Sequence, residues 1–97
     1  MSFTKDPNAV LDYVVDWATF LGASETITTV VWTLESPEDD DTLTIGEAGQ
    51  APSNTDTAAT IWLLGGTLGR SYTLTCRATT SAGRIEDRSF SIYIKEN

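Results

Sequence analysis

Ninety-seven residues with fourteen acids, six bases and no histidine give a net charge of −8. That length holds one hydrophobic core, and the charge opposes binding to nucleic acid backbones, which attract basic patches. A chain without histidine lacks the commonest general base and metal ligand, so Ser–His and Cys–His nucleophile pairs and Cys/His zinc sites are excluded.

In chain order, residues 1–10 read as an extended polar arm with a turn at Asp6-Pro7-Asn8. This start has neither the apolar core nor the cleavage pattern of a signal peptide, which leads to the expectation of synthesis in a cytosol. Leu11 to Trp17 predicts a first strand. Leu11, Tyr13, Val15 and Trp17 share one face, and Asp12, Val14 and Asp16 the other. A helix through 8–21 competes, because Val10, Val14, Trp17 and Leu21 are helically spaced; β-branched and aromatic content favours the strand. Gly22-Ala-Ser is a turn. Thr26 to Leu34 predicts a second strand with Val30, Trp32 and Leu34 facing the core.

Ser36 to Asp41 breaks that strand as an exposed acidic loop, followed by a short edge strand at Leu43–Ile45 and a long connection from Gly46 to Thr57. Ala58 to Leu64 is apolar on both faces, so it is either central or meets a partner through Trp62. Tyr72 to Thr80 and Arg88 to Ile94 form a hairpin around Ser81-Ala-Gly83, with Tyr72, Leu74, Cys76 and Ala78 on one face. Regular turns between short alternating strands predict one all-β domain over 11–97, an immunoglobulin-like or fibronectin III-like β-sandwich. Cys76 is the one cysteine, so no internal disulfide forms, and its place on the apolar face makes it a small hydrophobe. Tyr72 stands where a tyrosine corner would, near the start of the penultimate strand, with its hydroxyl bonding back to the preceding corner; the alternative is an ordinary core aromatic.

Little here suggests catalysis. Asp12 and Asp16 share a strand face but lie about 13 Å apart along it, wider than the roughly 5–9.5 Å of glycosidase carboxylates. Glu38–Asp41 has clustered oxygens that a calcium ion favours, without the spaced ligands of a calcium loop. Gly65-Gly66 to Gly69 lacks a Walker lysine and leads into a strand, so it reads as a turn. No cofactor and no metal are expected. Threonines 26, 28, 29, 73, 75, 79 and 80 are expected on outer strand faces, either from strand propensity alone or as a flat docking surface.

Charge is uneven. Residues 1–66 hold eleven acids and one base, and residues 67–97 hold five bases and three acids. Such polarity suits copies of one protein, or different proteins, docking acidic side to basic side; a solvated acidic surface is the plainer reading.

Several strings together resemble a family of small tailed-phage virion proteins of the fibre–tail adaptor type. They are Leu11-Asp-Tyr-Val-Val-Asp-Trp17, Val31-Trp32-Thr, Asn54-Thr-Asp-Thr57 to Ile61-Trp-Leu63 with Gly65-Gly66, Tyr72-Thr-Leu74 to Thr79-Thr80, and Gly83-Arg84 to Arg88-Ser-Phe90. The resemblance spans roughly Asp6 to Glu96. It implies an immunoglobulin-like domain built into the particle without catalysis, made in the host bacterial cytoplasm, and partnered by tail, neck, fibre or capsid proteins in a ring or in many copies. Nucleic acid and membrane are not expected partners. The alternatives are a capsid decoration protein and, from another class, a carbohydrate- or receptor-binding module using Trp17, Trp32 or Trp62. Aromatic and arginine side chains dominate protein interfaces, which selects Phe3 and Lys5 in the arm, Trp62, and Arg77, Arg84 and Arg88 as candidate contacts.

Overall fold

The computed structural model describes residues 2–47 and 49–96, and among these there are eight strands and no helix. They are β1 (Ser2–Lys5), β2 (Val10–Asp16), β3 (Ile27–Glu35), β4 (Leu43–Ile45), β5 (Ser53–Asn54), β6 (Ala58–Gly65), β7 (Ser71–Thr80) and β8 (Ile85–Ile94). One sheet has the order β1-β8-β7-β3 and the other β2-β6-β4, with β5 also paired to β6. The chain crosses between sheets after β1, β2, β3 and β6, and β7–β8 is the one long hairpin.

Period-two alternation explains why these segments are strands and which side each buries. Tyr72, Leu74, Cys76 and Ala78 of β7 meet Ile61 and Leu63 of β6 and Tyr13 and Val15 of β2 in one buried cluster between the sheets. Residues 10–16 are a strand, not a helix, paired residue by residue to β6: Tyr13 and Val15 are buried while Val10, Asp12, Val14 and Asp16 are exposed, and Leu11, expected on the buried face, is 40% exposed at the start of the strand. Trp17, just past that strand, is wholly enclosed against Phe20 and Arg88. Cys76 is a free buried thiol, and burial pushes its pKa up, so it packs as an apolar group.

The start of the chain departs from expectation. Residues 2–5 are extended but do not project as an arm: β1 lies parallel to β8, with Phe3 beside Ile92 and Lys5 beside Ile94. Phe3 contacts the rings of Tyr13 and Phe90, so it joins the two sheets. Lys5 is 0% exposed and donates from Nζ to the carbonyls of Gly65 (2.7 Å) and Asp6 (3.0 Å). The sequence treated these residues as surface because they are few and mostly polar; one inward ring and one clasped lysine suffice to hold a four-residue strand against an existing edge.

Gly65 and Gly66 make that clasp possible. Both have positive φ, 78° and 104°, and a Cβ at Gly65 would run into the Thr42 carbonyl while one at Gly66 would meet the Ile94 side chain. The turn therefore lies flat enough to present the Gly65 carbonyl to the Lys5 ammonium.

Candidate docking surface

β3 forms one rim of the four-stranded sheet, paired to β7 alone. Thr29, Val31, Thr33 and Glu35 face outward and are exposed. Val30, Trp32 and Leu34 face the core but are only half-buried, whereas Leu74, Cys76 and Ala78 on the neighbouring β7 are fully covered. The difference arises because β7 has a strand on each side and β3 does not.

Polar clusters flank β3 in the chain, one just before it and one in the loop that follows it. Before it, Glu25 accepts from Arg84 (Nη2–Oε1 2.6 Å, Nε–Oε2 2.9 Å), from the Thr80 hydroxyl and from the Gly22 amide at 2.8 Å. The Arg84 hydrogen bonds first, and Thr80 second, pull the Glu25 pKa down to about 2. Arg84 also stacks on Phe20 and donates to its carbonyl. Beyond β3, Asp40 accepts from the Thr42 hydroxyl (2.6 Å), the Thr42 amide (3.0 Å) and the Tyr72 hydroxyl (2.7 Å). These bonds, the Thr42 hydroxyl foremost, hold its carboxyl well below the usual range. The Tyr72 hydroxyl in turn accepts from the Thr67 amide at 2.8 Å. Tyr72 is thus a corner residue whose hydroxyl reaches back five positions, and it also ties down the acidic loop.

Asp40 shows where the sequence reading of that loop fell short. Its side chain is 5% exposed and structural, while Glu38, Asp39 and Asp41 around it are exposed. Among the described residues no three His, Cys, Asp or Glu side chains converge to hold a metal ion. An alternating pattern cannot mark one acid of four as enclosed, since one of its partner hydroxyls, that of Tyr72, lies thirty-two positions away.

The outer face of the same sheet is rich in hydroxyls. Thr29, Thr33, Thr73, Thr75, Thr79, Ser89 and Ser91 lie there in register, with the Thr75 and Ser89 hydroxyls 2.8 Å apart. Thr80 is a correction: it is 3% exposed, because its even position in β7 turns it inward to Glu25. On the opposite sheet, β6 is central, and Trp62 is half-buried on its outer face, with Asp12 beside it across β2. Leu64, Thr44 and Gly46 line a shallow recess next to it with Glu47 on its lip.

The candidate contacts do not converge. Phe3 is half-buried between the sheets, and Lys5 is a clasp rather than a surface group, so the reading of Lys5 as an exposed contact gives way to the geometry. Arg77 pairs with Asp87 on the outer face (Nε–Oδ1 2.8 Å, Nη2–Oδ2 3.1 Å). Arg84 is held by Glu25, and Arg88 lies over the Trp17 ring while donating to the Asp16 carbonyl at 2.8 Å. Trp17 is 0% exposed, so it offers no ring to a sugar. Of the β3 rim the sequence singled out only Thr28 and Thr29 as part of a flat docking surface; the strand carries a further signal in its unbroken run of β-branched residues from Thr26 to Val31.

Two disulfide-free sheets, framed by polar clusters and free of helices among the described residues, define an all-β scaffold of a kind that presents rims and faces to other proteins. The chain matches the family described as podophage GP4 fiber-tail adaptor protein gp77 over residues 5–93, and it belongs to that family. It is accordingly a phage tail-adaptor family member and a virion component. No curated protein matches the chain. No helix among the described residues is long and apolar enough to cross a membrane.

Proposed function

We propose that the chain is a non-enzymatic structural adaptor that joins fibre to tail, or neighbouring tail and neck parts, in a podophage particle. The family match over residues 5–93 carries this reading. The strand order supports an immunoglobulin-type sandwich: the β8-β7-β3 and β2-β6-β4 groups correspond to the two sheets of that fold, and Tyr72 occupies its tyrosine corner. Such a framework supplies a stiff body whose rims and faces can each meet a different neighbour. Synthesis in the host cytoplasm and assembly as a ring of several copies go with this role.

Copy number tests it. Quantitative mass spectrometry of purified particles is expected to find a small ring's worth of this chain, with reconstruction placing it where fibre meets tail. Hundreds of copies on the head would instead establish a decoration protein, and absence from particles would end the adaptor reading.

A further inference from the structure

Four rims close the two sheets, and three are guarded. β1 is only four residues long and is clasped through Lys5, β2 carries Asp12 at mid-strand and Asp16 at its end, and β4 and β5 have three and two residues. Short length and charge are the devices by which sheets avoid adding foreign strands. β3 has neither. Its one irregularity, a register shift between Ile27 and Thr29, lies at its start, where the Ile27 amide donates to the Asp56 carbonyl at 2.9 Å; from Thr29 to Glu35 it runs without lysine, arginine, proline or glycine, and its one charge is the terminal Glu35. Alternate residues of an antiparallel edge turn their N–H and C=O groups away from the sheet, and the core-facing Val30, Trp32 and Leu34 remain half-covered on that side. The strand is paired to β7 from Ile27 to Glu35, with the Glu25 cluster just before it and the Asp40 cluster fixing the loop beyond it, so a partner meets an edge already extended.

We propose that the β3 edge receives an extended segment of a different particle protein by strand addition. That segment alternates apolar and polar residues and bears lysine or arginine at the end that meets Glu35 and the 36–41 loop. Charge selects the occupant. Glu38, Asp39 and Asp41 are exposed and carry no ion pair among the described residues. A second copy brings another net charge of −8 to that place, and its arginines are engaged within its own fold: Arg70 lies 3.9 Å from Asp40, Arg77 holds Asp87, Arg84 holds Glu25, and Arg88 covers Trp17. A cationic strand from elsewhere satisfies both the open backbone groups and the unpaired carboxylates. The partner's place in the particle rests on the adaptor reading; the readiness of the edge does not.

Two experiments test it. In the first, the full chain is titrated with the peptide lysine-valine-threonine-valine-threonine-valine-lysine and followed by amide hydrogen exchange. Amides of β3 should slow at least tenfold while those of β2 do not change. A control peptide with glutamines in place of the lysines should need at least fivefold more material at low salt. Unchanged β3 exchange at millimolar peptide, protection confined to β2, or a chain that pairs with itself through β3 in sedimentation overturns the proposal. In the second, particles carry a photo-crosslinking residue in place of Thr33, with Thr60 and Thr75 as controls on the two outer faces. Position 33 should link to a lysine- or arginine-bearing segment of another particle protein. Linkage to a second copy, or none at position 33 with the chain present, overturns it. Should the native chain be missing from particles, the adaptor reading falls, and the exchange experiment still decides the edge.

Discussion

The two rims of the four-stranded sheet are built on opposite plans. At one, β1 contributes four residues, yet it is held by Phe3 against Tyr13 and Phe90 and by the buried Lys5 ammonium on the Gly65 carbonyl. At the other, β3 contributes nine residues, is anchored at its start by the Ile27 amide on the Asp56 carbonyl, and pairs with no strand on its outer side from there to Glu35. The short rim is closed by a ring that bridges to the opposite sheet and by a clasped lysine, whereas the long one has core-facing side chains that remain half-covered on their open side. A rim's readiness for a partner therefore follows from what guards it and not from how much chain it contains.

The largest effect expected from breaking this contrast comes at the closed rim. Deleting residues 1–5 removes a ring that packs on Tyr13 and Phe90 and uncovers Ile92 and Ile94, which are now 0% exposed. Loss of a large apolar side chain from a core costs about 3–5 kcal/mol, so the truncated chain should melt at least about 10 °C below the full chain. A truncation that melts like the full chain would show that residues 1–5 act as the separate arm the sequence suggested.

Next comes Tyr72→Phe. It leaves the Thr67 amide and Asp40 each short of a partner, and an unmet buried polar group costs roughly 1–3 kcal/mol. Urea denaturation should show a loss in that range, with faster amide exchange in the 36–42 loop and at the end of β3. A loss under about 0.5 kcal/mol would mean that the corner hydroxyl does not hold the loop.

Acid tests the other end of β3. The Glu25 carboxyl titrates at about 2 in the folded chain against an ordinary 4.5, so its contribution is present above the ordinary value and is lost as pH falls from there towards 2. Asp40 acts in the same direction. Stability should therefore decline across that window. Glu25→Gln should start lower at neutral pH and decline less steeply, as fluorescence-monitored unfolding at several pH values would show. Equal slopes for the two proteins would show that the cluster before β3 does not rest on Glu25.

The smallest effect belongs to the open rim. Val31 is 54% exposed and lies on the outer face, so Val31→Lys should shift stability by no more than about 0.5 kcal/mol while placing a guarding charge in mid-strand. A larger loss in a thermal melt would mean that the rim is already sealed within the isolated chain.

Much of this architecture was legible in residue order. Alternation placed Tyr13, Val15, Leu74, Cys76 and Ala78 on buried faces, and Tyr72 was recognisable as a corner residue from its position at the head of a strand. Lys5 was misjudged because a lone lysine near a terminus has no pattern that marks it as buried; only the Gly65 carbonyl, sixty residues on, gives it a place inside. Arg77, Arg84 and Arg88 looked like a basic surface for the same reason, since Asp87, Glu25 and the Trp17 ring that engage them come from other strands and loops.

The order of residues by itself determined the longer strands and most of their inward and outward faces, the absence of a disulfide and the lack of a histidine-based reaction centre, because side-chain period and composition are local properties. The packed structure alone decided that the first strand joins the last one in parallel, that Asp40 is enclosed while its neighbours are exposed, and that β3 ends the sheet. Each of these depends on which distant segment supplies a neighbour, and hydrogen bonding across a sheet is settled only when the strands have found their order.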